Sequence, residues 1–162
     1  MKRILILFII MLFAVMEASF LGLFKIFRIA PDLLLMVVVI AALYDEFRWA
    51  IFYAIIAGIF RDTFSGAQVA LHVLFFPFWV YLIHTLSRKI FIETDIVRIA
   101  VMFGVSFLNN LAVILSLVLM RKTLPGSVIF SMVLIGPLYT AAIFPLVCRF
   151  FGTQLYRQAR TV

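Results

Sequence analysis

The chain has 162 residues, of which 67% are hydrophobic and 13% are charged, and its mean hydropathy is +1.25. These values exclude a water-soluble globular domain, and no polar segment is long enough to fold as a separate catalytic or binding module. The net charge of +7 comes from basic residues at the ends of hydrophobic runs, so we expect anionic lipids as partners and no nucleic acid. We therefore expect one polytopic membrane domain over residues 1–162.

Six apolar runs follow one another along the chain, and each predicts a membrane-spanning helix. The first, residues 4–24, begins like a signal peptide, but the hydrophobic segments after it favour its retention as a spanning helix. The second and third, 32–44 and 48–62, are short, because crossing the hydrocarbon core takes about 20 helical residues. The remaining three runs are long enough to span: 66–87, 97–120 and 126–151.

The connections between these runs are short, so consecutive helices should be antiparallel neighbours in a compact all-α bundle. More of the Lys and Arg residues fall on the side of the amino terminus than on the opposite side. By the positive-inside rule, this distribution predicts that both termini are cytoplasmic.

Several polar side chains fall at one depth in the predicted bundle. Counted from the turn at Asp45–Arg48, Asp32 and Asp62 both lie roughly 20 to 24 Å from the cytoplasmic boundary. An ionised group inside a membrane costs at least ~2.5 kcal/mol, so these groups should pair, with Arg28 or Arg61 as the available cation. We expect one polar layer formed by Glu17, Asp32, Asp62, His72 and Asn109.

Two carboxylates in this layer also have simpler interpretations. Asp32 follows Pro31 at a helix start, where a carboxylate complements the helix dipole. Asp62 could mark a helix end, with Ser65 and Gly66 forming the cap and the turn. His72 has no flanking carboxylate in the sequence, and we expect it to be a hydrogen-bonded residue of the bundle and not a ligand.

Small residues recur at helical spacing on two of the predicted helices. Ala50, Ala54, Gly58 and Asp62 occur every fourth residue, which places Asp62 on a seam where helices pack closely. Arg61 points about 100° away and is expected to extend toward the interface. The first helix carries a second seam, a packing surface for a helix of the bundle or of a partner: Ala14, Ala18 and Gly22.

Two further features concern helix shape and depth. Gly136 and Pro137 should interrupt the sixth helix, and neighbouring groups must then satisfy the freed backbone. Aromatic residues with a polar atom are typical of the membrane interface. We assign Trp49, Trp79, Tyr81 and Tyr156 to it.

Sequence motifs of catalysis are missing from the chain. There is no HExxH zinc motif, no phosphate-binding GxxxxGK loop and no GxSxG nucleophile elbow. The single cysteine, Cys148, allows neither an intramolecular disulfide nor a cysteine-based metal site. We expect no enzyme activity, no catalytic residue, no metal and no cofactor.

Two stretches, IAPDLLLMVVVIAAL and AGIFRDTFSGAQVALHVL, resemble the MreD family of rod shape-determining proteins of the bacterial inner membrane. The shared pattern is a Pro with a polar neighbour that opens a hydrophobic helix, then G-xxx-D-xx-SG and LH-x-L. Arg61 stands where the resemblance leads us to expect an apolar residue. The matching positions are Pro31, Asp32, Gly58, Asp62, Ser65, Gly66, Leu71, His72 and Leu74.

The resemblance implies a non-enzymatic scaffold subunit of the cell-wall elongation complex. Its expected direct partner is the single-pass protein MreC, and MreB, RodA and the penicillin-binding transpeptidase of RodA belong to the same complex. The fold should resemble the S components of ECF (energy-coupling-factor) transporters, and a small-molecule-binding subunit of that type is the alternative function. We expect Asp62→Ala to abolish rod-shape complementation and Arg61→Ala to be tolerated.

Overall fold

The computed structural model describes residues 2–20, 31–65, 71–87, 94–120 and 125–159. The side chains of residues 2, 18, 20, 65 and 151–159 are outside this description. Gly22, Arg28 and Gly66, which the sequence analysis singled out, lie outside the described residues, as do the surroundings of the Ala18, Ser65 and Tyr156 side chains.

The regular structure of the described residues is helical throughout. One π-helical turn, Ser131–Ile135, joins α6 to α7, so these segments form one continuous rod and the bundle has six rods, as predicted. The helices are α1 (Lys2–Phe20), α2 (Leu33–Tyr44), α3 (Phe47–Ser65), α4 (His72–Ser87), α5 (Asp95–Leu119), α6 (Gly126–Phe130) and α7 (Gly136–Ala159).

The boundaries of α3 and α4 differ from the prediction. α3 has 19 residues and continues past Asp62, because Thr63 Oγ1 donates to the carbonyl of Ile59 at 2.7 Å and so fits within the helix. The third helix is therefore not short. α4 has only 16 residues and begins at His72, where its first N–H groups find an acceptor on α3. α2, with 12 residues, is short as predicted.

The short helix α2 lies at the centre of the bundle. It packs against α1, α3, α4, α5 and α7, and its residues from Leu34 to Ala42 are all buried. A helix that is apolar on every face is stable only where every face is covered. The uninterrupted run LLLMVVVIAAL therefore forms the core of the protein.

The remaining contacts arrange the other helices around α2. α3 and α4 share the most extensive contact, and α5 packs mainly against α7. α4 and α5 follow each other in the chain but touch only slightly, so the rule that consecutive helices are neighbours does not hold well at this step. The polar groups described below are positioned by the contact between α3 and α4 and by the neighbouring helices α1, α2 and α7.

Two segments among the described residues are long and apolar enough to cross a membrane, by length and composition alone. They are Asp95–Leu119 and Gly126–Phe150, and fewer than a third of the residues in the most apolar stretch of each are buried. Exposed apolar side chains along them include Leu115, Leu138 and Leu146. α2 and α4 are apolar but shorter.

Candidate functional site

All five polar residues of the predicted layer are buried. Their exposed fractions are between 1% and 8%, although each carries a group that prefers water. The contacts join most of them through two adjacent residues of α3, Arg61 and Asp62. The buried polar residues of the described chain are Glu17, Asp32, Asp62, His72, Ser106, Asn109 and Thr140.

Arg61 connects three helices through its guanidinium group. It forms an ion pair with Glu17 of α1, and its Nη2 lies 3.6 Å from Oδ2 of Asp32 at the start of α2. The Arg61 side chain is 26% exposed, against 6% for Glu17 and 10% for Asp32. Two carboxylates would otherwise be buried without a cation, which is strongly unfavourable.

The prediction that Arg61 extends toward the interface is therefore wrong. Its predicted pairing with Asp32 is confirmed, and the pairing with Glu17 was missed. The carboxylates come from α1 and from the start of α2, which α3 contacts side by side. Their attraction outweighs the tendency of a long basic side chain to reach water.

Asp62 caps the amino terminus of α4 from the neighbouring helix. Its Oδ1 accepts from the backbone N–H of His72 at 3.2 Å and lies 2.6 Å from His72 Nδ1, and its Oδ2 accepts from the backbone N–H of Val73 at 3.1 Å. The first N–H groups of a helix have no intrahelical acceptor, and the positive end of the helix dipole attracts a carboxylate. His72 is hydrogen-bonded, as predicted, but its partner is a carboxylate.

Gly58, one turn before Asp62, allows the two helices to meet. A Cβ at this position would lie 2.6 Å from the His72 carbonyl oxygen and 2.7 Å from Val73 Cα. Both are backbone atoms and cannot move aside without displacing α4. The G-xxx-D spacing is thereby explained, because Gly58 permits the approach of α4 and Asp62 then binds its first turn.

Asp32 fulfils both roles that the sequence left open. As the N-cap of α2 it accepts from the Leu35 N–H at 3.0 Å, while its other oxygen faces Arg61. Its own N–H donates to Thr140 Oγ1 at 3.3 Å, and Thr140 donates to the carbonyl of Gly136 at 2.8 Å. A polar chain therefore runs from α7 through α2 and α3 to α1, and Thr140 is a member that the sequence analysis missed.

Asn109 lies apart from this chain and pairs with Trp79. The indole N–H of Trp79 donates to Asn109 Oδ1 at 3.1 Å, and Trp79 is only 5% exposed. Its assignment to the membrane interface is therefore wrong. A buried Trp needs an acceptor for its N–H, and Asn109 of α5 supplies one inside the bundle.

The predicted irregularity of the sixth rod takes the form of the π-helical turn Ser131–Ile135, directly before Gly136 and Pro137. Its backbone is partly satisfied by a side chain, since Asn110 Nδ2 donates to the carbonyl of Met132 at 2.8 Å. This contact agrees with the expectation that neighbouring groups satisfy the freed backbone.

The small-residue seams, where they are described, face the interior. Ala50 and Ala54 are 1% and 0% exposed, and Ala14 is 1% exposed. All three belong to the main hydrophobic cluster. Of the two roles left open for the seam of α1, packing within the bundle is therefore the one that Ala14 has.

A comparison with protein-family models matches residues 1–153 to the model of the rod shape-determining protein MreD. The chain belongs to the MreD family. MreD proteins are membrane proteins with a structural role in rod shape determination and are not a known enzyme family. No curated protein and no solved structure matches the chain in the other two comparisons. The matched residues include Gly58, Asp62 and the rest of the polar layer.

Proposed function

We propose that this MreD-family chain is a scaffold subunit of the cell-wall elongation complex in the bacterial inner membrane. It is a single polytopic membrane domain with both termini in the cytoplasm. It binds MreC directly, belongs to the same complex as MreB, RodA and the penicillin-binding transpeptidase of RodA, and helps to regulate peptidoglycan synthesis and cell shape.

The observation that carries this proposal is that Arg61 and Asp62, at the centre of the polar layer, are engaged by groups of the bundle itself. Arg61 is engaged by Glu17 and Asp32, and Asp62 is engaged by the first turn of α4. A carrier or an enzyme needs polar groups that await a ligand, whereas these groups fix α1, α2, α3, α4 and α7 in one arrangement. Such an arrangement suits a rigid platform for other membrane proteins.

The outer surface supports the same function. The described seam residues Ala14, Ala50 and Ala54 pack inside the bundle, so they do not form the surface for a partner helix. The segments Asp95–Leu119 and Gly126–Phe150 carry several exposed apolar side chains, which suit contact with lipid and with a transmembrane helix. A single-pass partner has one helix to place on such a surface.

Co-purification of MreC with the tagged chain in a mild detergent tests the proposal. We expect MreC to be recovered with the parent chain and with Gly104→Ala, since a Cβ at Gly104 meets nothing within 4 Å. Recovery should fall for Gly58→Leu, which separates α3 from α4. Absence of MreC from the parent preparation, with the chain folded and MreC present in the membranes, would contradict a direct scaffold role.

The second candidate is a small-molecule-binding subunit of an ECF-type transporter. One observation favours it, since Glu17 Oε2 is buried without a hydrogen-bond partner in the described part of the chain. Calorimetry of the purified protein with a panel of vitamins and divalent cations distinguishes the candidates. Tight binding that Glu17→Gln abolishes would favour the carrier, and no binding by a folded protein would remove it.

A further inference from the structure

Two arginine side chains lie against aromatic rings at the end of the bundle where α2 turns into α3. The guanidinium carbon of Arg3, on α1, is 3.8 Å from the ring centroid of Trp49 on α3. The guanidinium carbon of Arg98, on α5, is 5.4 Å from the ring centroid of Tyr44 at the end of α2. Stacking of this kind holds a flexible basic side chain in a defined position.

The two arginines differ in their charge environment. Arg98 donates to the Asp95 carboxylate at 3.1 Å, so its charge is balanced locally. Arg3 and Arg48, the residue that precedes Trp49 in the chain, are both exposed, and neither forms an ion pair with a carboxylate in the described part of the chain. The guanidinium of Arg3 therefore lies on the Trp49 ring, and a second exposed arginine, Arg48, is next to Trp49 in the chain.

We propose that Arg3, Arg48 and Trp49 form a binding site for the phosphate of an anionic phospholipid. A guanidinium stacked on a ring turns its N–H edge outward, where it can donate two parallel hydrogen bonds to a phosphate. Trp is suited to the headgroup level, and the cytoplasmic leaflet is the anionic one. The site rests on the multi-pass topology with cytoplasmic termini proposed above, and is independent of the protein partner.

Apolar surface next to the arginines identifies the ligand as a lipid and not a free phosphate. Ile4 follows Arg3 on α1 and is 72% exposed. Phe52, whose ring centroid is 6.0 Å from that of Trp49, is 46% exposed. A headgroup held by the two arginines would have its acyl chains against these side chains, whereas inorganic phosphate would gain nothing from them.

Quenching of Trp fluorescence by brominated lipids tests the site directly. The chain has two Trp residues, and Trp79 is buried, so lipid quenching reports mainly on Trp49; the residual signal of Trp49→Phe gives the correction. The purified chain is placed in phosphatidylcholine vesicles that contain either brominated phosphatidylglycerol or brominated phosphatidylcholine. We expect the brominated phosphatidylglycerol to quench more strongly at equal mole fraction.

Variants that each remove one positive charge distinguish a specific phospholipid site from the general attraction of a basic protein to anionic lipid. Arg3→Gln and Arg48→Gln should each lower the relative association constant of phosphatidylglycerol about fivefold, the value that corresponds to ~1 kcal/mol per basic residue at an anionic surface. Arg98→Gln removes the same charge from the balanced pair and should leave the preference unchanged. Circular dichroism establishes that each variant is folded.

Two results would overturn the site: equal quenching by both lipids in the parent, or an equal loss in Arg98→Gln and Arg3→Gln. The outcome does not depend on the scaffold proposal. If the chain prefers phosphatidylglycerol but recovers no MreC, the lipid site is supported and the scaffold role is contradicted. If the chain recovers MreC but shows no lipid preference, the scaffold role is supported and the lipid site is contradicted.

Discussion

The carboxylate of Asp62, on α3, binds both the backbone N–H and the ring Nδ1 of His72, the first residue of α4. This relationship crosses from one helix to the next and fixes where α4 begins. A carboxylate at that point replaces the acceptors that the first turn of a helix lacks. The charge of Asp62 is therefore tied to the packing of two helices, which is the basis of the first prediction.

Asp62→Ala should destabilise the protein and abolish rod-shape complementation. The substitution leaves the buried N–H group of His72 and the partly buried N–H group of Val73 without their acceptor, and a buried unsatisfied group costs about 1–3 kcal/mol. Asp62→Asn retains one acceptor oxygen and should have an intermediate effect. Thermal unfolding in detergent and complementation of a shape-defective strain measure the two consequences.

Thr63→Ala is the matched control, because Thr63 is adjacent and polar but exposed, and among the described residues its hydroxyl bonds within its own helix. It should leave both stability and complementation close to those of the parent. If Asp62→Ala is tolerated as well as Thr63→Ala, the capping of α4 by Asp62 is not required for stability or for rod-shape complementation.

Gly58→Ala should be destabilising even though alanine favours helices. The new Cβ would be 2.6 Å from a backbone oxygen of α4, and overpacking of this kind typically costs about 1–3 kcal/mol. Gly104→Ala is the control, since the same Cβ meets nothing within 4 Å there and alanine gains roughly 0.5–1 kcal/mol of helix propensity. The two variants should shift the unfolding temperature in opposite directions, and a shift of the same sign would contradict the close α3–α4 contact.

Arg61→Ala should be poorly tolerated, which revises the expectation from the sequence. Without the guanidinium, Glu17 and Asp32 are left as buried carboxylates without their cation, and the loss of one partner of a buried pair costs about 3–5 kcal/mol. The partial exposure of Arg61 places the expected cost at the lower end of this range. Thermal unfolding of the purified variant gives the measurement.

A second substitution distinguishes this charge effect from a loss of packing. Glu17→Gln removes one of the two uncompensated charges, so Glu17→Gln with Arg61→Ala should be more stable than Arg61→Ala alone. Simple addition of the two single effects would show that the ion pair does not couple α1 to α3.

The sequence predicted that these polar groups lie at one level of the bundle, but it predicted their partners less well. Asp32, Asp62 and Glu17 could be placed at one level because a helix rises by a fixed ~1.5 Å per residue, and all three are buried. The pairings of Arg61 with Glu17 and of Trp79 with Asn109 were not predicted, since Glu17 and Asn109 lie on other helices. Which helices touch is decided by packing around α2, and hydropathy carries no information about that choice.

The helix boundaries show the same limit at a smaller scale. Hydropathy ended the third run at Asp62. The Asp62 carboxylate, however, is bonded by two backbone N–H groups and one ring nitrogen of α4, so Asp62 can remain within the helix. α3 therefore continues to Ser65. The family motif contained the missing information. Its spacing of Gly58 to Asp62 is the spacing of one helical turn, and its histidine is the residue that the Asp binds.

The hydroxyl group of Tyr53 provides the last prediction. Tyr53 is 0% exposed, and its hydroxyl has no hydrogen-bond partner in the described part of the chain. Burial of an unpaired hydroxyl costs about 1–3 kcal/mol, so Tyr53→Phe, which keeps the ring against Trp49 and Phe52, should leave the unfolding temperature unchanged or raise it. Trp79→Phe is the contrasting variant, because it removes the donor of a formed bond to Asn109 and should lower that temperature. If Tyr53→Phe destabilises the protein as much as Trp79→Phe does, the Tyr53 hydroxyl must be hydrogen-bonded in the native protein. The core beside α2 would then contain a polar interaction that contributes to stability.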